Sequence, residues 1–317
     1  MTGREEYKMD FRNKTIKKLN ENNDLKYLED FYYYIAKKEP TTVYNYINYV
    51  IAFLRKLDIS DPSCITFNSY NKYTAMLVEE TSSYQIAVYS ALKKFSTFLY
   101  ANKICESDYM QNVERPKSYE KQETKIKRQN SVLTKEEIVE MLSNVKESAK
   151  NNIWKQRDYA IIVLFLTSGI RSSALYKLDL NDVNFNNNTI VVTEKRDNVR
   201  EIILPQSTMD EIIKWVDIRN TLNPKTDALF ISNQKTRISS KTIYRIVNEY
   251  GSVNNRNGHP HILRSTYGTM LYENTGDLYL TQTNMGHSNP KTTELYIRGK
   301  DIDVKKKAAQ VIENCIL

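Results

Sequence analysis

Hydrophobic positions in the first hundred residues recur at helical spacing. Leu25, Leu28, Phe31, Tyr32 and Ile35 share one face of a stretch from about 24 to 38, the pattern of an amphipathic helix. After Pro40, the series Val43, Tyr46, Ile47, Val50, Ile51, Leu54 and Leu57 repeats it, until Asp61-Pro62 breaks the run. A third, less regular helix is predicted over 69–78. A fourth begins at Ser82-Ser83, a suitable N-cap, and carries Ile86, Val88, Leu92, Phe95, Phe98 and Leu99. Residues 1–22 show no strong periodicity and are expected to be mobile. Four such helices make a small bundle whose core holds Phe31, Tyr32, Phe53, Phe95 and Phe98.

The pattern lapses at residues 115–130, which hold almost no large apolar side chain and six basic against two acidic residues. They read as a linker between a first domain, 1–114, and a second, 131–317. The second opens with a capping box, Thr134 as N-cap and Glu137 three residues on. An apolar helix from Trp154 to Leu166 ends at Gly169, and Arg171 opens the next. Periodicity then drops to two. Residues 189–193 and 200–204 are rich in β-branched types and read as a hairpin turning at Asp197-Asn198. Leu229-Phe230-Ile231 suggests a further short strand, and helices are predicted over 207–218 and 239–249. The tail 301–317 is an amphipathic helix in pattern. The fold class expected is mainly α with a small β-hairpin or sheet, a helical bundle followed by a mixed α/β domain.

Composition narrows the partners. Of 317 residues, 46 are Lys or Arg and 38 Asp or Glu, a net charge of +8, which favours a polyanion. Lys37, Lys38, Arg55, Lys56, Lys93 and Lys94 lie on polar helix faces. The longest apolar run, Ala160–Leu166, is far too short to span a bilayer. No signal pattern is visible at the N-terminus, and the three cysteines are too few and too scattered for a disulfide framework. An intracellular protein with no membrane partner is expected.

All three histidines, His259, His261 and His287, fall in one stretch. His261 and Arg264 form H-x-x-R, a spacing that puts both on one helix face. Gly286-His287 follows, and Tyr296 lies nine residues beyond His287. His261, Arg264 and His287 can donate to phosphate oxygens, and Tyr296 offers a hydroxyl nucleophile. Guanidinium groups suit this chemistry, because they donate bidentate bonds and keep their charge as the transition state gathers more negative charge. Arg171 is the second such group. A metal held by the three histidines would leave both arginines and Tyr296 unexplained and would repel Arg264. No metal and no cofactor is expected, and His259 reads as structural.

These residues resemble the boxes of the tyrosine recombinases, integrases of the lambda type. Ser168-Gly169-Ile170-Arg171 is similar to the first box, T-G-L-R. Lys195 lies near the position of the hairpin lysine, and His261-Ile262-Leu263-Arg264 matches H-x-L-R. Gly286-His287 and Tyr296 match the final pair. The bundle resembles the core-binding domain of that family. The resemblance implies a catalytic set of Arg171, Lys195, His261, Arg264, His287 and Tyr296, with Lys195 as general acid. It further implies a 3′-phosphotyrosine intermediate and a Holliday junction. The partner would be double-stranded DNA with a specific site of inverted half-sites, bound by a homotetramer whose C-terminal tail docks in trans. A type IB topoisomerase, a telomere resolvase and a non-catalytic architectural DNA-binding protein remain as alternatives. Two positions depart from the pattern. Ala174 stands where the family usually has an acidic residue, and Ser265 where histidine is common. The carboxylate that would steady Arg171 is therefore missing or supplied from elsewhere.

Overall fold

The computed structural model describes residues 2–117, 132–148, 151–194, 198–251 and 258–286. The chain divides into two compact units, Glu5–Lys121, and Met1–Arg4 together with Gln122–Leu317. Among the described residues no helix is long and apolar enough to cross a membrane.

The first unit is built from α1 (Gly3–Asn20), α2 (Leu28–Ile35), α3 (Pro40–Lys56), α4 (Phe67–Met76) and α5 (Ser82–Ala101). Helix α1 corrects the expectation of a mobile N-terminus. It lacks an apolar stripe but has electrostatic support. Glu5 and Glu6 sit in its first turn and Lys17 and Lys18 in its last, the favourable ends for each sign. Lys14 pairs with Asp10 one turn away at 2.6 Å, and Phe11 packs edge-on to Tyr44 at 5.8 Å. Helix α2 is shorter than its periodicity suggests, because Tyr27 turns left-handed (φ 60°) just before it. The cap of α5 is Thr81, whose hydroxyl accepts from the Tyr84 amide, one residue before the expected serines. Phe31, Phe53, Phe95 and Phe98 are buried as expected, with Tyr32 packed partly buried against them. The Phe31 ring lies 5.0 Å from Phe95, and Phe53 stacks on Tyr70 at 5.0 Å.

In the second unit, α6 (Lys135–Glu147) opens with the predicted box. The Glu137 carboxylate accepts from the Thr134 amide at 2.9 Å, and the Glu137 amide donates to the Thr134 hydroxyl at 3.2 Å. Helix α7 (Asn152–Ser168) is the axle. It packs against α6, α9 (Gln206–Thr221) and α11 (Pro260–Thr275), so Ala160, Ile161, Ile162, Leu164 and Phe165 are all buried. A helix buried on several sides shows no single apolar stripe. Short helix α8 (Ser172–Lys177) leads to a three-stranded antiparallel sheet, β1 (Val183–Asn184), β2 (Thr189–Thr193) and β3 (Val199–Ile203), in that order. β2 and β3 form the predicted hairpin, with Ile190 opposite Ile202 and Val192 opposite Arg200. β1 is too short to show in the sequence pattern. Helices α10 (Ser240–Gly251) and α12 (Leu278–Met285) complete the unit.

Leu229–Ile231 is not the expected strand. Only isolated bridges form there, Asp179 with Ala228 and Ile231 with Arg237. Side chains instead take the carbonyls a ladder would use. Trp215 donates to Leu229, Arg219 to Ala228 and Arg157 to Ile231. The turn at Asp197, residues 118–130 of the basic linker and the tail from Asp301 lie outside the described residues.

Both tryptophans of the chain, Trp154 and Trp215, belong to the second unit, so their fluorescence follows that unit alone. Thr134→Ala removes the side-chain half of the capping box and should lower its stability in urea by about 1 kcal/mol. An unchanged midpoint and slope would show that the box contributes nothing.

Candidate active site

Three chain turns converge at one end of α7. The first is the box around Gly169. Helix α7 ends because Gly169 adopts a left-handed conformation (φ 58°) and returns its N–H to the Phe165 carbonyl at 3.1 Å. Glycine is needed there twice over, since a Cβ would also run into the Tyr267 ring. Arg171 then sits in extended backbone as the cap residue of α8. Its side chain is one-third exposed.

The second turn opens α11. His259 is the cap residue and Pro260 occupies the first helical position. One turn further in, Arg264 is 3% exposed and donates to the Gly169 carbonyl and to the Met285 carbonyl. One guanidinium thus ties the ends of α7 and α12 to the body of α11. The third turn is Gly286, left-handed (φ 60°), which stops α12. A helix C-terminus leaves carbonyls unpaired and carries partial negative charge. Arginines cap these carbonyls here. Arg264 takes Met285, Arg171 reaches Gly286 at 3.3 Å, and Arg200 takes Asn284.

At the centre lies Glu194, itself 3% exposed. Its carboxylate pairs with Arg171, lies 3.3 Å from Arg200 and 4.0 Å from Arg264. Gly286 closes over the group so tightly that a Cβ would fall 2.9 Å from Arg200 Nε and 3.0 Å from Glu194 Oε2. Arg200 Nε is buried and finds no acceptor among the described residues. Burial pushes the Tyr267 hydroxyl above the usual phenol range, against the opposing pull of Arg200 and Arg264. That phenol, beside the cluster, stays protonated near neutral pH.

Arg171 and Arg264 are therefore brought together. His261 stands one turn before Arg264 on α11 but is exposed, its ring 6.5 Å from the near-parallel ring of His259. Burial lowers the pKa of His259, which favours the neutral ring. Lys195, His287 and Tyr296 lie outside the described residues, although Glu194 and Gly286 immediately precede the first two. Sequence reading missed Glu194 and Arg200. Their signal was the pleat. Ile190 and Val192 alternate onto one face of β2 and Glu194, just past its end, continues that spacing; the first two are fully buried, and Arg200 faces Val192 across the ladder. An acidic residue continuing a buried face calls for a cationic partner. Among the described residues no three His, Cys, Asp or Glu side chains gather as a metal site.

Comparison with known proteins agrees with this architecture. The profile of the phage integrase family matches residues 131–302. The tyrosine recombinase XerC of Histophilus somni is 28% identical over 282 residues, covering 85% of this chain and 91% of that protein. XerC of Haemophilus influenzae strain Rd is 30% identical, covering 81% and 86%. Among solved structures, the XerH site-specific recombinase bound to palindromic difH substrate superposes with a TM-score of 0.67 at 20% identity, covering 95% of this chain and 89% of that one. A lambda integrase dimer bound to a COC′ core site gives 0.65 at 17%, covering 87% and 96%. With its two arginine boxes meeting in one cluster and residues 131–302 matched by that profile, the chain belongs to the phage integrase family of tyrosine recombinases.

Proposed function

We propose that the protein is a site-specific DNA recombinase that cleaves and rejoins strands through a 3′-phosphotyrosine on Tyr296. The observation that carries this reading is the convergence of Arg171 and Arg264 on one carboxylate, at the helix end that leads directly into His287. Among the described residues, three guanidinium groups and one carboxylate leave a local charge of about +2. That surplus attracts a phosphodiester, and it matches the roughly doubled negative charge of a pentavalent transition state.

The step balances as follows. The Tyr296 oxygen attacks phosphorus, forming the phosphotyrosine bond, and the bond to the 5′ oxygen breaks. The tyrosine proton passes to a base, for which His261 is the candidate. Lys195 gives a proton to the leaving 5′ oxygen. Arg171, Arg264 and His287 hold the non-bridging oxygens. The phosphodiester energy stays in the protein–DNA link, so a free 5′ hydroxyl can reverse the step with no ATP and no metal. Exchange would proceed one strand at a time through a Holliday junction, on a tetramer assembled over two sites of inverted half-sites. The extensive match to recombinases that are Xer-like favours this over a topoisomerase or telomere resolvase.

A nicked substrate that traps the covalent state, with chelator present, should give an SDS-stable adduct whose mass maps to Tyr296. The adduct should vanish in Tyr296→Phe and persist in Tyr267→Phe. An adduct on Tyr267, or none despite specific DNA binding, would contradict the assignment. Arg171→Ala should slow cleavage by about a hundred- to a thousandfold and also melt lower, because it takes the partner of one carboxylate oxygen from the buried Glu194. Arg264→Ala should lose as much activity and also melt lower, because it strips donors from two carbonyls. Lys195→Ala should recover on a substrate whose leaving group is a thiol, which needs no proton; failure to recover would remove it as the acid.

A further inference from the structure

Position 174 carries no carboxylate. Ala174 is fully buried one turn beyond Arg171, so α8 cannot supply an anion to its own arginine. The hairpin supplies one instead. Glu194 lies at the inner end of β2, its backbone N–H held by the Asn198 carbonyl at 2.8 Å. From there its carboxylate reaches Arg171 on the α8 turn, Arg200 on β3 and Arg264 on α11. We propose that Glu194 is the positioning residue of the active site, a buried anion that orients both box arginines and the Gly286 turn for the phosphate.

Three guanidinium groups packed this closely repel one another, and a buried anion between them relieves that repulsion. Glu194 has two carboxylate oxygens and divides them. Oε2 pairs with Arg171, and Oε1 faces Arg200 and Arg264. The split fixes Arg171 relative to Arg264, and a misplacement of about 1 Å can cost about a hundredfold in rate. Gly286 is part of the same device. Its missing side chain lets the backbone approach Oε2, and Arg171 holds its carbonyl, so the carboxylate and its arginines fix the position of Gly286. Glu194 touches no substrate in this account. It acts through the arginines.

The inference rests on the recombinase reading, and its test separates the two. Single-turnover cleavage, DNA affinity and thermal melting would be measured for the native chain, Glu194→Gln, Glu194→Asp, Arg171→Lys and the double variant Glu194→Gln/Arg171→Lys. Glu194→Gln should slow cleavage by about a hundredfold with DNA affinity nearly unchanged. Glu194→Asp keeps the charge but shortens the reach, and should fold normally while losing roughly tenfold. It answers the question if the glutamine variant folds poorly. If Glu194 works through Arg171, the two losses will not multiply, and the double variant should cleave nearly as fast as the slower single one. A merely structural role would give multiplicative losses and a fall in DNA affinity parallel to the fall in cleavage, which would overturn the proposal. Native-like cleavage by both Glu194 variants would also overturn it, leaving the recombinase reading intact. Absence of cleavage by the native chain would instead bring down the reading and the inference together.

Discussion

A carboxylate almost wholly removed from water is tenable only beside cations, and three crowded guanidinium groups are tenable only beside an anion. Glu194, Arg171, Arg200 and Arg264 satisfy both conditions at once. The four residues arrive from a helix-opening turn, a strand end, the neighbouring strand and the body of a helix. None of these elements can shift far without leaving a buried charge unpaired, which costs about 3–5 kcal/mol. The cluster is therefore a structural keystone as well as an electrostatic one. Among the described residues it holds three guanidinium groups and one carboxylate.

The backbone around it is equally constrained. Gly169 and Gly286 each end a helix in a left-handed turn, and each leaves out a Cβ for which there is no room. In both turns a carbonyl faces an arginine of the other box: Gly169 to Arg264, Gly286 to Arg171. The two sequence boxes are thus cross-linked by hydrogen bonds between side chain and main chain.

How far the sequence foretold this depends on the kind of information. Amphipathic helices such as Pro40–Lys56 and Ser82–Ala101 were legible because one face is buried and the other is not. The Thr134–Glu137 box was legible because capping is local. Helix α1 was missed because its support comes from ion pairs and a tertiary ring contact, neither of which makes a stripe. The segment Ala228–Ile231 misled because its buried, apolar residues resemble a strand while its carbonyls are claimed by distant side chains. At the site, Arg171 and Arg264 could be named from motif spacing. Glu194 could not be assigned to them, since its partners are remote in sequence and only the fold makes them neighbours. The unmatched Ala174 was the visible trace of that compensation.

The central claim is that this cluster is the seat of the scissile phosphate. The most direct measurement is a structure of the protein on a DNA half-site with that phosphate in place. The account predicts guanidinium nitrogens of Arg171 and Arg264 within about 3 Å of non-bridging oxygens of one phosphate, with Glu194 still buried between the arginines. A phosphate seated away from the cluster, with Arg264 bonded only to the carbonyls of Gly169 and Met285, would contradict it.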